Sequence, residues 1–291
     1  MRIKVLGARG SIPCPGPDTV RYGGNTSCVQ VTLDDGALLV LDAGTGIRNL
    51  ELPTDGPRRI HILLTHLHLD HVQGLLFFAP LFDPCNEITI WGPPMEGVPL
   101  RRRIARYLSA PLTPVELSDV PSQLEFRDCP KGEWRIGSAC IRAEFVNHRG
   151  PTLGYAISEP GATLCYLPDH EPALIGPLDE LDAAWISGYA LAHEADLLLH
   201  DAQYTDAQYP GHFGWGHSSL SDALTFARRT GARRTLLSHH GPEQSDEDLD
   251  ALRVVAQRRW VELGGEPGAI ELAAELGEVE VGVSAPAPLG A

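Results

Sequence analysis

The sequence predicts an α/β fold in which two β-sheets pack face to face and helices cover their outer sides. Two observations carry this. β-rich runs fill both halves of the chain, and each set is followed by helical stretches. These runs also keep ending on a histidine or an aspartate, at His66, His148, Asp169, Asp201 and His239. Randomly placed histidines would not keep landing at strand ends, and α/β sheets carry their chemistry at the carboxyl ends of strands. No internal repeat or linker divides the 291 residues. Residues 1–283 are therefore expected to form one domain, with the Pro-rich stretch 284–291 as a disordered tail.

Taken in order, 3–6 reads as a first strand and 7–18, rich in Gly and Pro, as a loop. Runs 28–33 and 37–41 flank Asp34-Asp35-Gly36, a hairpin signal. A short helix is expected over 47–52, a turn over 53–57 and a strand over 60–64. Residues 74–82 are apolar and predict a helix ending near Pro80. A strand follows at 88–91. Arg101, Arg102, Arg103 and Arg106 read as the solvated face of a helix within 95–111. Strands are expected over 124–126, 134–136, 139–146, 154–158 and 163–167. Further apolar runs occupy 183–187 and 196–199. An aromatic, Gly-rich loop spans 203–216, and its Tyr209, His212, Phe213 and Trp215 fit a wall that stacks on a base as well as they fit ordinary packing. Ser218-Ser219 starts a helix that Gly231 stops. A strand at 235–237, a helix over 244–263 and a short closing strand within 270–283 complete the chain.

Composition narrows function. The formal charge of −15 argues against a large basic surface for duplex DNA or long RNA, whose binding rests on phosphate neutralisation. A small phosphorylated substrate remains compatible, because bound metal ions invert the local field. The six cysteines are scattered without metal-binding spacing. The N-terminus shows no apolar stretch before a small-residue cleavage site, and no run is long enough to span a membrane. A cytoplasmic protein with reduced cysteines is expected.

The chemistry concentrates in Thr65-His66-Leu67-His68-Leu69-Asp70-His71. His66 and His68 are two apart and share a side in extended backbone. Asp70 and His71 follow where the chain turns, so one pair can grip one ion and the second pair another. Imidazole and carboxylate donors suit zinc, manganese or iron. A merely structural polar loop would have to desolvate three imidazoles and a carboxylate without compensation.

His66-Leu67-His68-Leu69-Asp70-His71, followed by Gly74-Leu75-Leu76, resembles the signature of the metallo-β-lactamase superfamily. His148, Asp169 and His239 follow in the right order. The similarity runs from Gly7 to about Leu263 and implies a four-layer αββα sandwich. Gly7-Ala8-Arg9-Gly10-Ser11, Gly23-Gly24-Asn25-Thr26-Ser27-Cys28 and Asp42-Ala43-Gly44-Thr45-Gly46 are similar to the ribonuclease Z-like and cyclic-nucleotide phosphodiesterase branch. So are His200-Asp201-Ala202-Gln203, with Asp201 in place of a glutamate, and Gly216-His217-Ser218-Ser219. Ribonuclease Z proteins carry a tRNA-gripping arm between the positions of His148 and Asp169, and the interval here is too short for it.

The resemblance implies two divalent ions, with zinc as the default and manganese or iron as alternatives. His66, His68 and His148 would hold one, Asp70, His71 and His239 the other, and Asp169 would bridge them. It also gives catalytic roles to Asp70, His217 and Asp201, with His217 as proton donor and Asp201 orienting it; His240 stays open as the competing donor. Asp42 is expected to orient a ligand histidine. Asn25, Thr26 and Arg149 are candidates for a phosphate contact, His61 for a structural role and His170 for a peripheral one. The expected activity is hydrolysis of a small phosphodiester, with a 3′,5′-cyclic nucleotide as the best guess. An RNA-processing nuclease, a lactone or thioester hydrolase, and a non-catalytic interaction module are the alternatives. No membrane partner is expected, and a homodimer is compatible.

Overall fold

The computed structural model describes residues 1–52, 58–130 and 132–282; the turn expected over 53–57 and the tail at 284–291 lie outside the described residues. Strands β1 (Arg2–Gly7), β2 (Cys28–Thr32), β3 (Leu38–Leu41), β4 (Arg59–Leu63), β5 (Glu87–Gly92) and β6 (Gln123–Asp128) build the first sheet in that spatial order. β7 (Glu133–Ile136), β8 (Ala139–Phe145), β9 (Leu153–Glu159), β10 (Ala162–Leu167), β11 (Leu197–Asp201), β12 (Thr235–Ser238) and β13 (Ile270–Leu272) build the second. β14 (Glu278–Glu280) returns to the first sheet and pairs antiparallel with β1. Each sheet has an antiparallel half and a parallel half. β3 to β6 run parallel in one, and β10 to β13 in the other.

Both faces of each sheet are covered, which explains why the inner strands read as continuous apolar runs. In β3, Leu39 and Leu41 point between the sheets while Leu38 and Val40 point to the outer side. In β11, Leu197 and Leu199 point inward and Leu198 outward. The central core joins Ile3, Val5, Leu39 and Leu41 to Ile141, Tyr155, Ile157 and Leu164. Helices α1 (Leu69–Val72) and α2 (Leu100–Ile104) lie with the first sheet, and α3 (Tyr189–Ala192), α4 (Leu220–Thr230) and α5 (Asp246–Glu262) with the second. Ser219 caps α4 through the Asp222 N–H, and Gly231 ends it with a left-handed φ of 71°. Ser245 and Asp248 form a reciprocal cap on α5. Among the described residues, no helix is long and apolar enough to cross a membrane.

Three local expectations are revised. The helix expected over 74–82 is instead two 3₁₀ turns, Gln73–Phe77 and Ala79–Phe82, which follow the single turn of α1. Gly74 is pressed against the 43–44 backbone, donating to the Ala43 carbonyl, which diverts the chain from a regular helix. Within 95–111 only α2 is regular, and Arg103 is buried rather than solvated. Its guanidinium donates to the Pro93 carbonyl at 2.7 Å and to Asp128 at 3.1 Å. The closing segment supplies two strands, in different sheets.

His200 illustrates how tightly the second sheet is packed against α4. It is fully buried, stacked on Phe226, and its Nδ1 donates to the Asp201 carbonyl at 2.7 Å. Its Nε2 lies 2.9 Å from His170 Nδ1, in a second buried imidazole. Burial pushes its pKa down to about 4, against the raising effect of Asp201. The unfolded chain takes up this proton near pH 6.5 and the folded chain only near 4, so stability falls as pH drops between those values. Urea unfolding followed from pH 7 to pH 5 is expected to show a steeper loss for the wild type than for His200→Gln. Equal slopes would remove His200 from the acid sensitivity.

Candidate metal centre

The carboxyl ends of several strands converge on one polar cluster between the sheets. β4 ends at Leu63, and the chain then delivers His66 and His68 before α1 carries Asp70 and His71. β8 and β10 lead to His148 and Asp169, and β12 leads to His239, whose φ of 59° turns the chain sharply there. Gly10 lies so close that a Cβ on it would fall 2.2 Å from His239 Cδ2. The loop after β1 thus closes over this histidine only because Gly10 has no side chain.

All seven residues implied as ligands meet here. Donor atoms of His66, His68 and His148 lie within 4.8 Å of one another, as do those of Asp70, His71 and His239. Asp169 sits between the two groups. Its Oδ1 is 3.9 Å from His66 Nε2 and 3.7 Å from His148 Nε2. Its Oδ2 is 3.0 Å from His71 Nε2 and 3.3 Å from His239 Nδ1. One oxygen faces each group.

The protonation states of His66, His239 and Asp169 suit cations. Burial, reinforced by the His71 charge, pushes His66 well below its usual pKa, and burial likewise lowers His239. Burial raises the Asp169 carboxyl, but the surrounding His239, His71 and His66 outweigh it and hold it well below the carboxylate range. Metal binding requires neutral imidazoles and ionised carboxylates, which His66, His239 and Asp169 supply. Burial lowers His71 too, but Asp169, Asp70 and Asp42 outweigh it and hold it well above its usual pKa, so it gives up a proton when an ion binds. His66 Nε2, His71 Nε2 and Asp169 Oδ2 are buried without a hydrogen-bond partner. Three unsatisfied polar atoms meeting in one spot are costly unless a ligand completes them. The residues present therefore fit divalent ions.

A second ring of contacts fixes the histidines. Asp42 is fully buried, with Oδ1 accepting from Thr65 N at 2.8 Å and Oδ2 from Tyr166 Oη at 3.0 Å. Its Oδ2 also accepts from His71 Nδ1 at 2.8 Å, which turns Nε2 toward the cluster. Thr65 Oγ1 lies 3.0 Å from His66 Nδ1. Asp42→Asn is expected to weaken metal binding by about 10–100-fold while the chain stays folded. Titration against a chromophoric chelator measures this, and unchanged affinity would refute the orienting role.

The Asp201–His217 pair stands beside the cluster. Asp201 lies at the end of β11, inside the strand, and its Oδ2 accepts from His217 Nδ1 at 2.6 Å. His217 stacks on His239 and meets His148 edge-on, with ring centres 5.0 and 4.9 Å away. Burial pushes its pKa down, but Asp201 with Asp169 and Asp70 behind it outweighs this and holds it up to about 9. It does not cap α4; Ser219 does.

Other candidates are placed elsewhere. His240 is buried, pushed down to about 4 by burial, and its Nε2 donates to the Ala273 carbonyl at 2.8 Å, away from the cluster. Asn25 is tied to Glu275 and Thr26 to Thr45, so neither is presented to a phosphate. Arg149 is exposed and lies over the half-exposed Trp215 ring. His61 Nδ1 accepts from Trp91 Nε1 at 3.4 Å. His170 is not peripheral: it is fully buried between Asp169 and His200.

A family model described as "Beta-lactamase superfamily domain" matches residues 38–240. The chain belongs to the metallo-β-lactamase superfamily. Among this superfamily it is similar to an uncharacterized protein of Mycobacterium leprae (strain TN), 29% identical over 86% of this chain and 81% of the relative. It is also similar to a ribonuclease Z of Kineococcus radiotolerans, 26% identical over 79% of this chain and 82% of the relative. Human tRNase Z, short form, shares the fold with a TM-score of 0.65 at 23% identity, covering 97% of this chain and all of that one. A diphosphatase from the PhnP family does so with a TM-score of 0.65 at 18% identity, covering 97% and 99%. These likenesses put the chain on the ribonuclease Z-like branch of the superfamily. Membership indicates a metal-dependent hydrolase.

Proposed function

We propose that this superfamily member is a dinuclear metal-dependent phosphodiesterase acting on a small phosphodiester, with a 3′,5′-cyclic nucleotide as the leading substrate class. In this reading His66, His68 and His148 hold one ion and Asp70, His71 and His239 the other. Asp169 offers one oxygen to each. Zinc is the expected metal, and manganese and iron suit the same donors. The ions supply Lewis acidity and lower the pKa of water at neutral pH.

The observation that carries the reading past a generic hydrolase is the Asp201–His217 pair. Asp201 holds the proton on Nδ1 at 2.6 Å and so orients the ring. Nε2 is left to carry a second proton next to the cluster, positioned for the oxygen that leaves phosphorus. Asp70 is held by the Ser11 N–H on its Oδ2 at 2.8 Å and works beside it. Topology and charge both favour a small substrate. β9 and β10 occupy the interval between His148 and Asp169 as a sheet hairpin, and the net charge of −15 disfavours long nucleic acid. Residues 1–283 are read as one domain because β14 closes back on β1. The free cysteines fit a cytoplasmic setting.

The test is an assay of metal-stripped protein reloaded with zinc or manganese. Substrates are cyclic AMP, bis-p-nitrophenyl phosphate, a lactone and a thioester. Metal-dependent cleavage of the phosphodiesters supports the reading, and a fully loaded protein that leaves both intact overturns it. The ribonuclease Z relatives favour a second reading, trimming of short RNA ends, and a labelled RNA with a single-stranded 3′ end in the same assay separates the two.

A further inference from the structure

We propose that Glu171 is a positioning residue: its buried carboxylate clamps the loop over the metal centre and, through the Gly216 carbonyl, sets the His148 imidazole. The inference rests on the reading of His148 as a metal ligand.

Glu171 is 1% exposed and lies two residues beyond Asp169. An ionised carboxylate only accepts hydrogen bonds, so every partner must aim a donor at it. Three do. Tyr209 Oη and Gly214 N donate to Oε1, each at 2.8 Å, and Gly216 N donates to Oε2 at 2.8 Å. All three donors belong to residues 209–216. Among the described residues no cation pairs with this carboxylate. Burying it is costly, and hydrogen bonds from one loop offset that cost. A group arranged in this way fixes the loop.

The loop in turn fixes His148. Its Nδ1 donates to the Gly216 carbonyl at 2.7 Å, which turns Nε2 to Asp169 Oδ1 and His68. Gly216 has φ +91°, and a Cβ there would fall 2.5 Å from His148 Nδ1, so this close approach needs glycine. Glu171 also grips the segment from the other side: its own N–H donates to the carbonyl of Asn147, the residue before His148. His71 is oriented by Asp42 and His66 lies against Thr65, whereas His148 depends on the loop. The same loop presents Trp215 beneath the Arg149 guanidinium, 5.4 Å from the ring centre. One clamp therefore controls a ligand and the aromatic rim of the site.

Glutamine at 171 keeps the volume but turns one acceptor into a donor facing the loop's N–H groups. Zinc titration against a chromophoric chelator, with thermal unfolding of the metal-free proteins, tests the clamp. Glu171→Gln is expected to weaken one of two zinc equivalents by about 10–100-fold and leave the other unchanged. Tyr209→Phe, which deletes one donor and spares the carboxylate, should shift the same equivalent less. His148→Ala is the reference and should lose that equivalent outright. Wild-type zinc binding by folded Glu171→Gln overturns the proposal, as does a loss of both equivalents that tracks a drop in Tm. If His148→Ala binds both equivalents normally, the ligand assignment falls and takes the inference with it.

Discussion

His217→Ala is expected to lower turnover of a phosphodiester by about 10²–10⁴-fold while the protein keeps its full metal content. The expectation follows from what holds this ring. Asp201, fully buried at the end of β11, accepts from its Nδ1, and the ring stacks on His239. The imidazole is thus fixed beside the cluster, and the neighbouring carboxylates hold its pKa up to about 9 against burial. A group so placed holds a proton at neutral pH where a leaving oxygen needs one. Alanine removes the donor and leaves the seven proposed ligands in place. Steady-state kinetics with metal analysis of the same sample measures both halves. The ring also lies within ligand distance of His148 and Asp169. Loss of metal in His217→Ala would therefore make it a ligand and end its assignment as proton donor.

Asp169→Ala should have the larger effect. Its Oδ1 faces His66 and His148 and its Oδ2 faces His71 and His239, so one carboxylate serves both halves of the centre. It is also the negative charge best placed to offset repulsion between two cations. Its removal is expected to deplete both ions and to lower activity by on the order of 10³-fold or more, since the ions supply several kcal/mol of barrier reduction. Metal analysis after desalting is the deciding measurement. Two tightly held ions in Asp169→Ala would mean that the carboxylate does not bridge, and the centre would need to be redrawn.

Much of the architecture was legible because both faces of the inner strands are buried. Runs such as 37–41 and 197–199 had to be apolar throughout, and their ends had to be polar where the sheets meet the site. Hairpin and cap chemistry located Asp34-Asp35-Gly36, Ser219 and Gly231 for the same local reason: turns and helix ends need particular backbone freedom or a side-chain acceptor. Legibility failed where distant backbone intervened. Residues 74–82 have an apolar helical pattern, but the Ala43 carbonyl takes the Gly74 N–H and breaks the chain into 3₁₀ turns. The arginines near 101–106 look uniformly solvated, yet the Pro93 carbonyl and Asp128 draw Arg103 inside.

The sequence by itself determined the chemistry that could be present: imidazole and carboxylate donors after strands, in an order and spacing that suit a hydrolytic metal centre. Those features are local, written in residue type and period. The tertiary structure alone decided which groups act on one another. It set Asp169 with one oxygen to each histidine group, turned His240 toward Ala273 and away from the cluster, and withdrew Asn25 and Thr26 into bonds with Glu275 and Thr45. It also gave Glu171 its three donors from a loop some forty residues on. No local pattern encodes such contacts, because they exist only once two seven-stranded sheets bring separate strand ends within hydrogen-bond distance.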